Sequence, residues 1–395
     1  MKGRLSGAAV RTVLRRLRNG RIELLEGGRR LAFGPPEADL RATVTVRDPA
    51  AWRGPLRGSL GLGETYVDGA WDCDDLVALI RIAASELRDL DGLRGAVARP
   101  RGVLHRLRHL VPDSTPGKAR ENISAHYDLG NDLFAAFLDE RMMYSCAYFP
   151  HPGASLEEAQ LAKLERICAQ LRLGPDTHLL EIGAGWGGMA VHAAREHGCR
   201  VTTTTISREQ HELARRRVRE AGLEDRVTVL LEDYRDLRGR YDRLVSIEMI
   251  EAVGWRHFDD FFGQCSDLLA PDGLMALQAI IIDDRLYEAE KGTRSFANSH
   301  VFPGGCLPSN RVIADSVARA TDMRQVWSED ITEHYPPTLA AWRERFHASW
   351  ERLRGGGYDE RFRRLWDFYL CSSEAGFRER RIADVQALLA KPGWS

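Results

Sequence analysis

The stretch LLEIGAGWGG (Leu179–Gly188) places four glycines in ten residues, directly after an apolar run. Glycine takes positive φ freely and lets another molecule lie against the backbone, which makes Gly183, Gly185 and Gly187 candidates for a ligand cradle. The ligand is not a triphosphate held by a phosphate loop, because no GxxxxGK[ST] is present. A dinucleotide fits poorly as well, since the bulky Trp186 stands where a small residue would have to admit the pyrophosphate. Glu181 closes the apolar run. A glycine turn beside a strand-end carboxylate suits a cation that carries an amino acid moiety, and S-adenosylmethionine is such a molecule. Trp186 is then expected against the ligand, with a plain core role as the alternative.

Other reactive residues stand elsewhere. Cys146 lies among aromatics in YSCAYF, between Tyr144, Tyr148 and Phe149. Glu248 and Glu251 in SIEMIEAVG are three apart, a spacing expected to put both on one helical face, with Glu248 as support at a strand end. A buried structural thiol and a solvated acidic pair are the plain alternatives. The seven cysteines form no CxxC pair, which argues against a disulfide framework and a structural zinc site; no metal is expected, and a reducing compartment follows.

These residues need a scaffold, and the pattern around them supplies one. THLLEIG (Thr177–Gly183), CRVTTTTIS (Cys199–Ser207), RVTVLLED (Arg226–Asp233), YDRLVSIE (Tyr241–Glu248) and GLMALQAIII (Gly273–Ile282) read as strands. Helical stretches such as GGMAVHAAREH and REQHELARRRVREAG alternate with them. Such alternation predicts an α/β fold with a parallel sheet between helices, whose ligands sit beyond the carboxyl ends of the strands. The threonine run in the second strand is explained by β-propensity. Upstream, ATVTVRD (Ala42–Asp48) reads as a strand and DDLVALIRIAAS (Asp74–Ser85) as an aspartate-capped helix. Pro112, Pro116 and Gly117 mark a linker, dividing the chain into residues 1–110, a connection over 111–122 and a larger domain over 123–395. YPPTLAAWRERFHASWERL (Tyr335–Leu353) and YDERFRRLWDFYLCSSEAGFR (Tyr358–Arg378) read as long amphipathic helices whose aromatics are mostly core.

The chain of 395 residues has a net charge of −1, which hides an asymmetry. Residues 1–120 hold 22 basic against 14 acidic groups, and the remainder 34 against 43. A basic N-terminal part, including Arg15, Arg16 and Arg18, is either a solvated face or one drawn to an anionic surface. No run of about 18 apolar residues exists to span a bilayer, and the arginine-rich start lacks the apolar core of a secretory signal.

The glycine stretch resembles the first motif of class I S-adenosylmethionine methyltransferases. Three stretches are more specific: NISAHYDLGNDLFAAFLDERMMYSCAYF (Asn122–Phe149), SIEMIEAVG (Ser246–Gly254) and HVFPGGCLPS (His300–Ser309) are similar to the cyclopropane fatty acid synthase family. GSLGLGETYVDGAWDCDDL (Gly58–Leu76) is similar to the N-terminal domain of its bacterial phospholipid-acting members. The resemblance implies a Rossmann-like methyltransferase sheet, a smaller N-terminal lipid-binding domain and helical additions over the active site. It also implies methyl transfer from S-adenosylmethionine to the cis double bond of a phospholipid acyl chain, through a carbocation. The product is a cyclopropane, or alternatively a 10-methylene branch. A small-molecule methyltransferase and a non-catalytic lipid binder are the readings from other classes. The absence of an Asn-Pro-Pro-Tyr type motif speaks against base methylation, so no nucleic-acid partner is expected. The implied setting is cytoplasmic, peripheral on the inner face of the membrane, and family members are often dimers.

Carried over residue by residue, the resemblance puts the cofactor against Tyr144 and Ser145, the Leu179–Gly187 bend, Thr205, Ser207, Gln210, and the pair Asp233–Tyr234. His126 and Tyr127 would order a loop over it. The family's proton acceptor is a bound bicarbonate, whose ligands map to Cys146, Glu251, the backbone of Ile280, and Tyr335. Its histidine position is Gln278 here, which donates a hydrogen bond but relays no proton. A family cysteine in the last helix falls on Ser373, with Cys371 two residues away.

Overall fold

The computed structural model describes residues 2–94 and 130–395; His126 and Tyr127 lie outside the described residues. The chain forms two compact units: one comprises Met1–Val111, Thr293–Val301 and Trp342–Arg381, and the other Pro112–Gly292, Phe302–Ala341 and Ile382–Ser395. The first unit therefore includes segments distant in sequence from its N-terminal part.

In the first unit, strands β1 (Arg21–Glu26), β2 (Arg29–Phe33), β3 (Arg41–Val46) and β4 (Trp71–Cys73) form a small sheet in the order β2-β1-β3-β4. Val10, Leu24, Phe33 and Trp52 pack together on it. The expected helix at Asp74–Ser85 runs over Leu76–Arg94, and the Asp75 carboxylate accepts from the Ala78 amide at its start. The helix Gly58–Val67 approaches its neighbours so closely that a Cβ on Gly63 would lie 2.2 Å from Phe296 and 2.7 Å from Phe368. Arg364 of the helix Glu360–Arg378 lies over the Tyr66 ring and donates to the carbonyls of Tyr66 and Trp71 and to Asp72. Asp367 accepts from the Tyr66 hydroxyl and pairs with His347. Cys371 is buried in this unit. The stretch expected as one helix over Tyr335–Leu353 is two, Tyr335–Ala348 and Trp350–Gly355, parted at Ser349.

The second unit is built on seven strands: β5 (His178–Ile182), β6 (Arg200–Thr205), β7 (Val227–Leu231), β8 (Tyr241–Ile247), β9 (Leu269–Ile282), β10 (Arg324–Asp330) and β11 (Ile382–Ala390). Their order is β10-β11-β9-β8-β5-β6-β7. The five sequence-legible strands pair in parallel, and β11 joins β9 antiparallel, as β10 does β11. Consecutive strand residues feed two separate cores. Leu180, Leu244, Met275, Leu277 and Leu389 pack with Phe258, Phe261 and Phe262 on one side. Leu179, Val245, Leu274, Ala276 and Leu388 pack with Met189, Ala190 and Ala193 on the other. A sheet covered on both faces needs apolar side chains at nearly every position, which is why its strands read as unbroken apolar runs rather than alternating ones. The chain order reverses between β5 and β8, so the ends of these two strands form the crevice where ligands collect in such folds.

Candidate active site

The bend after β5 behaves as its glycines demand. Gly183, Gly185 and Gly187 have φ of +99°, +50° and +85°. Gly187 caps the helix Gly188–His197, and a Cβ there would press on Ala214 at 3.2 Å. Gly185 differs: a Cβ would meet nothing within 4 Å. Gly183 and Gly185 keep accessible surface while Ala184, Trp186 and Gly187 are buried. Packing alone therefore does not demand a glycine at 185, and the bend presents open backbone, as a cofactor laid against it requires. Trp186 lies beneath, its indole N–H donating to Asn131 Oδ1 at 2.7 Å and its ring 4.7 Å from that of Phe134.

The neighbouring strand ends carry the other expected residues. Ser207 caps the helix Arg208–Glu220 by accepting from the Gln210 amide. Thr205 Oγ donates to Gln210 Oε1 at 2.7 Å and accepts from the Ser207 amide. These three residues thus build the β6 turn itself. Asp233, expected against the cofactor, is held by Arg235 through two bonds of 2.8 and 2.6 Å. Tyr234 leans edge-on against Phe261. Glu181 lies inside the sheet rather than at its rim. It accepts from Thr203 at 2.6 Å, and burial pushes its carboxyl up to about 8. At neutral pH Glu181 is therefore largely a neutral acid, and the fixed anion read from the sequence is absent from the turn. Tyr144 keeps accessible surface and stacks on Phe302 with centroids 6.3 Å apart. Ser145 is buried, its hydroxyl accepting from Lys163 Nζ at 2.6 Å.

Beside the bend stands a second cluster, centred on Glu248, a residue expected only as support at the strand end. Glu248 and Glu251 do not share a helical face. β8 stops at Ile247, Glu248 takes a left-handed φ of +48°, and Ile250–Ala252 is a single tight turn. The backbone reversal turns Glu248 inward. Its Oε1 accepts from the Cys146 amide and from Gln278 Nε2, both at 2.8 Å, and its Oε2 accepts from the Tyr335 hydroxyl at 2.6 Å. Glu251 Oε1 accepts from the Ile280 amide at 2.5 Å, while its Oε2 is buried without a hydrogen-bond partner. The register of β9 with β11 places Asp384 opposite Ile280 and Gln386 opposite Gln278. Gln278 Nε2 also donates to Asp384 Oδ2 at 3.1 Å, and Gln278 Oε1 accepts from Gln386 at 3.0 Å.

Burial dominates the electrostatics of this cluster. It pushes the Cys146 thiol well up, so the residue is a neutral thiol and not a nucleophile. It raises Glu248, against the opposing pull of Tyr335 and the Cys146 amide. It lifts Glu251 to about 8, helped by the charge on Glu248, and raises Asp384 well above the carboxylate range. Lys163, the buried cation nearby, is lowered by desolvation and sustained by Glu248 and Asp139. Cys146, Glu251, Gln278, Ile280 and Tyr335 are thus brought together, as expected. Glu248 was expected only as support, and Asp384 and Lys163 not at all, because their roles depend on strand register and a backbone reversal that no local pattern announces. The donors mapped to a bicarbonate do not fit one: Cys146 N–H, Gln278 and Tyr335 all point at Glu248, and the Ile280 amide at Glu251.

Among the described residues, Cys168, His192 and His197 form the one group of metal-type ligands, their atoms within 4.8 Å of one another. Glu165 carboxylate oxygens lie 3.0 and 3.3 Å from the Nε2 atoms of His192 and His197, and burial lowers the His192 imidazole below its ordinary range.

An open glycine bend at the switch point of a 3-2-1-4-5-7-6 type sheet defines a class I S-adenosylmethionine-dependent methyltransferase. The family model for mycolic acid cyclopropane synthetase matches residues 115–387, and the chain belongs to that family. It is 40% identical to the tuberculostearic acid methyltransferase UfaA1 of Mycobacterium tuberculosis, over 88% of this chain and 82% of that protein. It is 38% identical to the cyclopropane-fatty-acyl-phospholipid synthase of Escherichia coli, over 89% of this chain and 88% of the relative. The crystal structure of the mycolic acid cyclopropane synthase CmaA1 complexed with SAH and CTAB superposes with a TM-score of 0.65 at 30% identity. It covers 69% of this chain and 98% of that one. Among the described residues no helix is long and apolar enough to cross a membrane.

Proposed function

We propose that this chain methylates the cis double bond of an unsaturated phospholipid acyl chain and closes a cyclopropane ring on it. The observation that carries the reading is the adjacency of the open bend at Gly183–Gly185 to a buried cluster of carboxyls and a tyrosine: a Cβ on Gly183 would lie 3.1 Å from Met249, the residue after Glu248. S-adenosylmethionine supplies an electrophilic methyl to the double bond, leaving positive charge on the acyl chain. Gly183, Gly185, Trp186, Gly187, Thr205, Ser207, Gln210, Asp233, Tyr234, Tyr144 and Ser145 hold the cofactor. Tyr144 and Phe302 offer aromatic faces whose quadrupole tolerates a cation. The buried walls around Cys146, Gln278 and Asp384 exclude water that would trap it. The carboxyl cluster receives the proton whose loss neutralises the product.

The second product reading, a methylene branch, is favoured by Gln278 standing in the family's histidine position. The membrane reading places the chain in the cytoplasm, peripheral on the inner face of the membrane through the basic N-terminal part; a homodimer follows from the family resemblance alone. Incubation with labelled S-adenosylmethionine and vesicles of unsaturated phospholipid tests the activity: label is expected in the extracted fatty acids, and none with intact cofactor binding would refute it. Proton NMR of those lipids separates ring from methylene. If the parent and Gln278→His give the same product, Gln278 does not decide the outcome.

A further inference from the structure

The donors that the resemblance assigns to a soluble bicarbonate are committed to a carboxylate of the chain itself. We propose that Glu248 is the resident proton acceptor of the reaction and makes an external anion unnecessary. The proposal rests on the lipid methyltransferase reading above and concerns only where its proton goes.

Three observations carry it. Glu248 sits at a φ of +48°, a conformation that costs a side-chain-bearing residue about 1–2 kcal/mol and that glycine would adopt freely. Strain of this kind persists where the surroundings over-determine it, often at active sites. Here the residue at the strained position is ionisable and hydrogen-bonded through both oxygens, to Cys146 N–H, Gln278 Nε2 and Tyr335 Oη. Second, all three groups donate to Glu248, so they favour its carboxylate and orient it as a base. Third, Cys146, Gln278, Asp384 and Tyr335 are buried, whereas Glu248 and Glu251 retain accessible surface beside the bend. Of the residues at the hub, Glu248 is the one whose two oxygens gather the donors and which is not fully closed off.

In the proton-transfer step, a C–H bond of the cationic acyl chain breaks. Its electron pair forms the last carbon–carbon bond of the product, and Glu248 takes the proton and becomes a neutral acid. The groups facing Glu248 complete the proton inventory: Lys163 from the helix Leu156–Gln170, Cys146 from the preceding loop, Glu251 from the tight turn, Tyr335 from its helix and Asp384 from β11. Asp384 and Glu251 are raised by burial and by the charge of Glu248, so a proton arriving on Glu248 lowers the charge they oppose.

The test uses the full chain, labelled S-adenosylmethionine and unsaturated phospholipid vesicles, in carbonate-depleted buffer with and without added sodium bicarbonate or formate. The parent should be equally active, within about twofold, in either buffer. Glu248→Gln should lose about 100-fold or more whatever is added, the scale of a lost general base. Glu248→Gly relieves the backbone and empties the anion position; it should be inactive in depleted buffer and regain at least tenfold activity with bicarbonate or formate. Binding of S-adenosylhomocysteine by calorimetry should stay within about threefold in both variants, which shows that the fold survives. A parent that loses tenfold on bicarbonate removal, an active Glu248→Gln, or an unrescued Glu248→Gly overturns the proposal. A parent that transfers no label to lipid refutes the underlying reading instead.

Discussion

Gly185 separates the demands of the fold from those of the cofactor. Its neighbours at 187 and 188 are glycines for the protein's own sake: a Cβ would press on Ala214 at 3.2 Å in the first case and come within 2.6 Å of the Arg141 carbonyl in the second. At 185 the added Cβ enters space that no protein atom occupies within 4 Å. Gly185→Asn should therefore cost the fold little beyond the left-handed backbone at φ +50°, about 1 kcal/mol or less, since asparagine tolerates that region better than other side chains. The side chain, however, fills the volume the cofactor needs. A cost of at least about 1.4 kcal/mol to binding corresponds to a tenfold weaker affinity, and steric exclusion should exceed that. Isothermal calorimetry with S-adenosylhomocysteine, alongside thermal unfolding of the free protein, reads the two effects apart. Gly188→Ala should show the opposite pattern, with unfolding shifted down by the backbone clash. Cofactor affinity for Gly185→Asn within twofold of the parent would show that nothing lies against that bend, and the assignment of the cradle would fail.

Tyr335→Phe removes the hydroxyl that donates to Glu248 at 2.6 Å. Losing a hydrogen bond to a charged group costs about 1.5–3 kcal/mol, so a fall in methyl transfer of roughly 10- to 150-fold is expected. Because Tyr335 lowers the Glu248 pKa, the limb of the pH–rate profile that reports this base should move to higher pH; an unmoved profile would separate Tyr335 from Glu248. Glu181 and Glu251 are both raised by burial from 4.5 to about 8. The unfolded chain sheds these protons first, so their cost to stability is absent below about pH 4.5, grows as pH rises and is complete above about pH 8, at about 1.4 kcal/mol for each factor of ten in proton affinity. Unfolding midpoints measured across that range should fall less steeply for Glu181→Gln than for the parent. In the first unit, burial works to raise Asp367, but His347 and Tyr66 outweigh it and hold the carboxyl below its ordinary range. Its stabilising contribution is therefore lost as pH falls, and Asp367→Ala, which leaves the buried Tyr66 hydroxyl without its acceptor, should destabilise the chain by about 1–3 kcal/mol in denaturant titration.

The amino-acid sequence by itself determined the layout of the central sheet: five apolar runs between helical stretches allow little but parallel strands with helices on both faces. It determined the glycine bend too, because a run of residues needing positive φ is legible without any neighbour. It also named Cys146, Gln278, Ile280, Glu251 and Tyr335 as a group, but only through resemblance, since they come from separate segments. The tertiary structure alone decided how that group is wired. The β9–β11 register puts Asp384 and Gln386 across from Ile280 and Gln278, and the left-handed turn after β8 swings Glu248 away from the helical face expected of it. Burial then moved Glu181 from a candidate anion to a largely neutral acid. Local pattern reports what a residue's own backbone prefers; hydrogen-bond partners and desolvation are set by segments far apart along the chain, and only the folded chain specifies them.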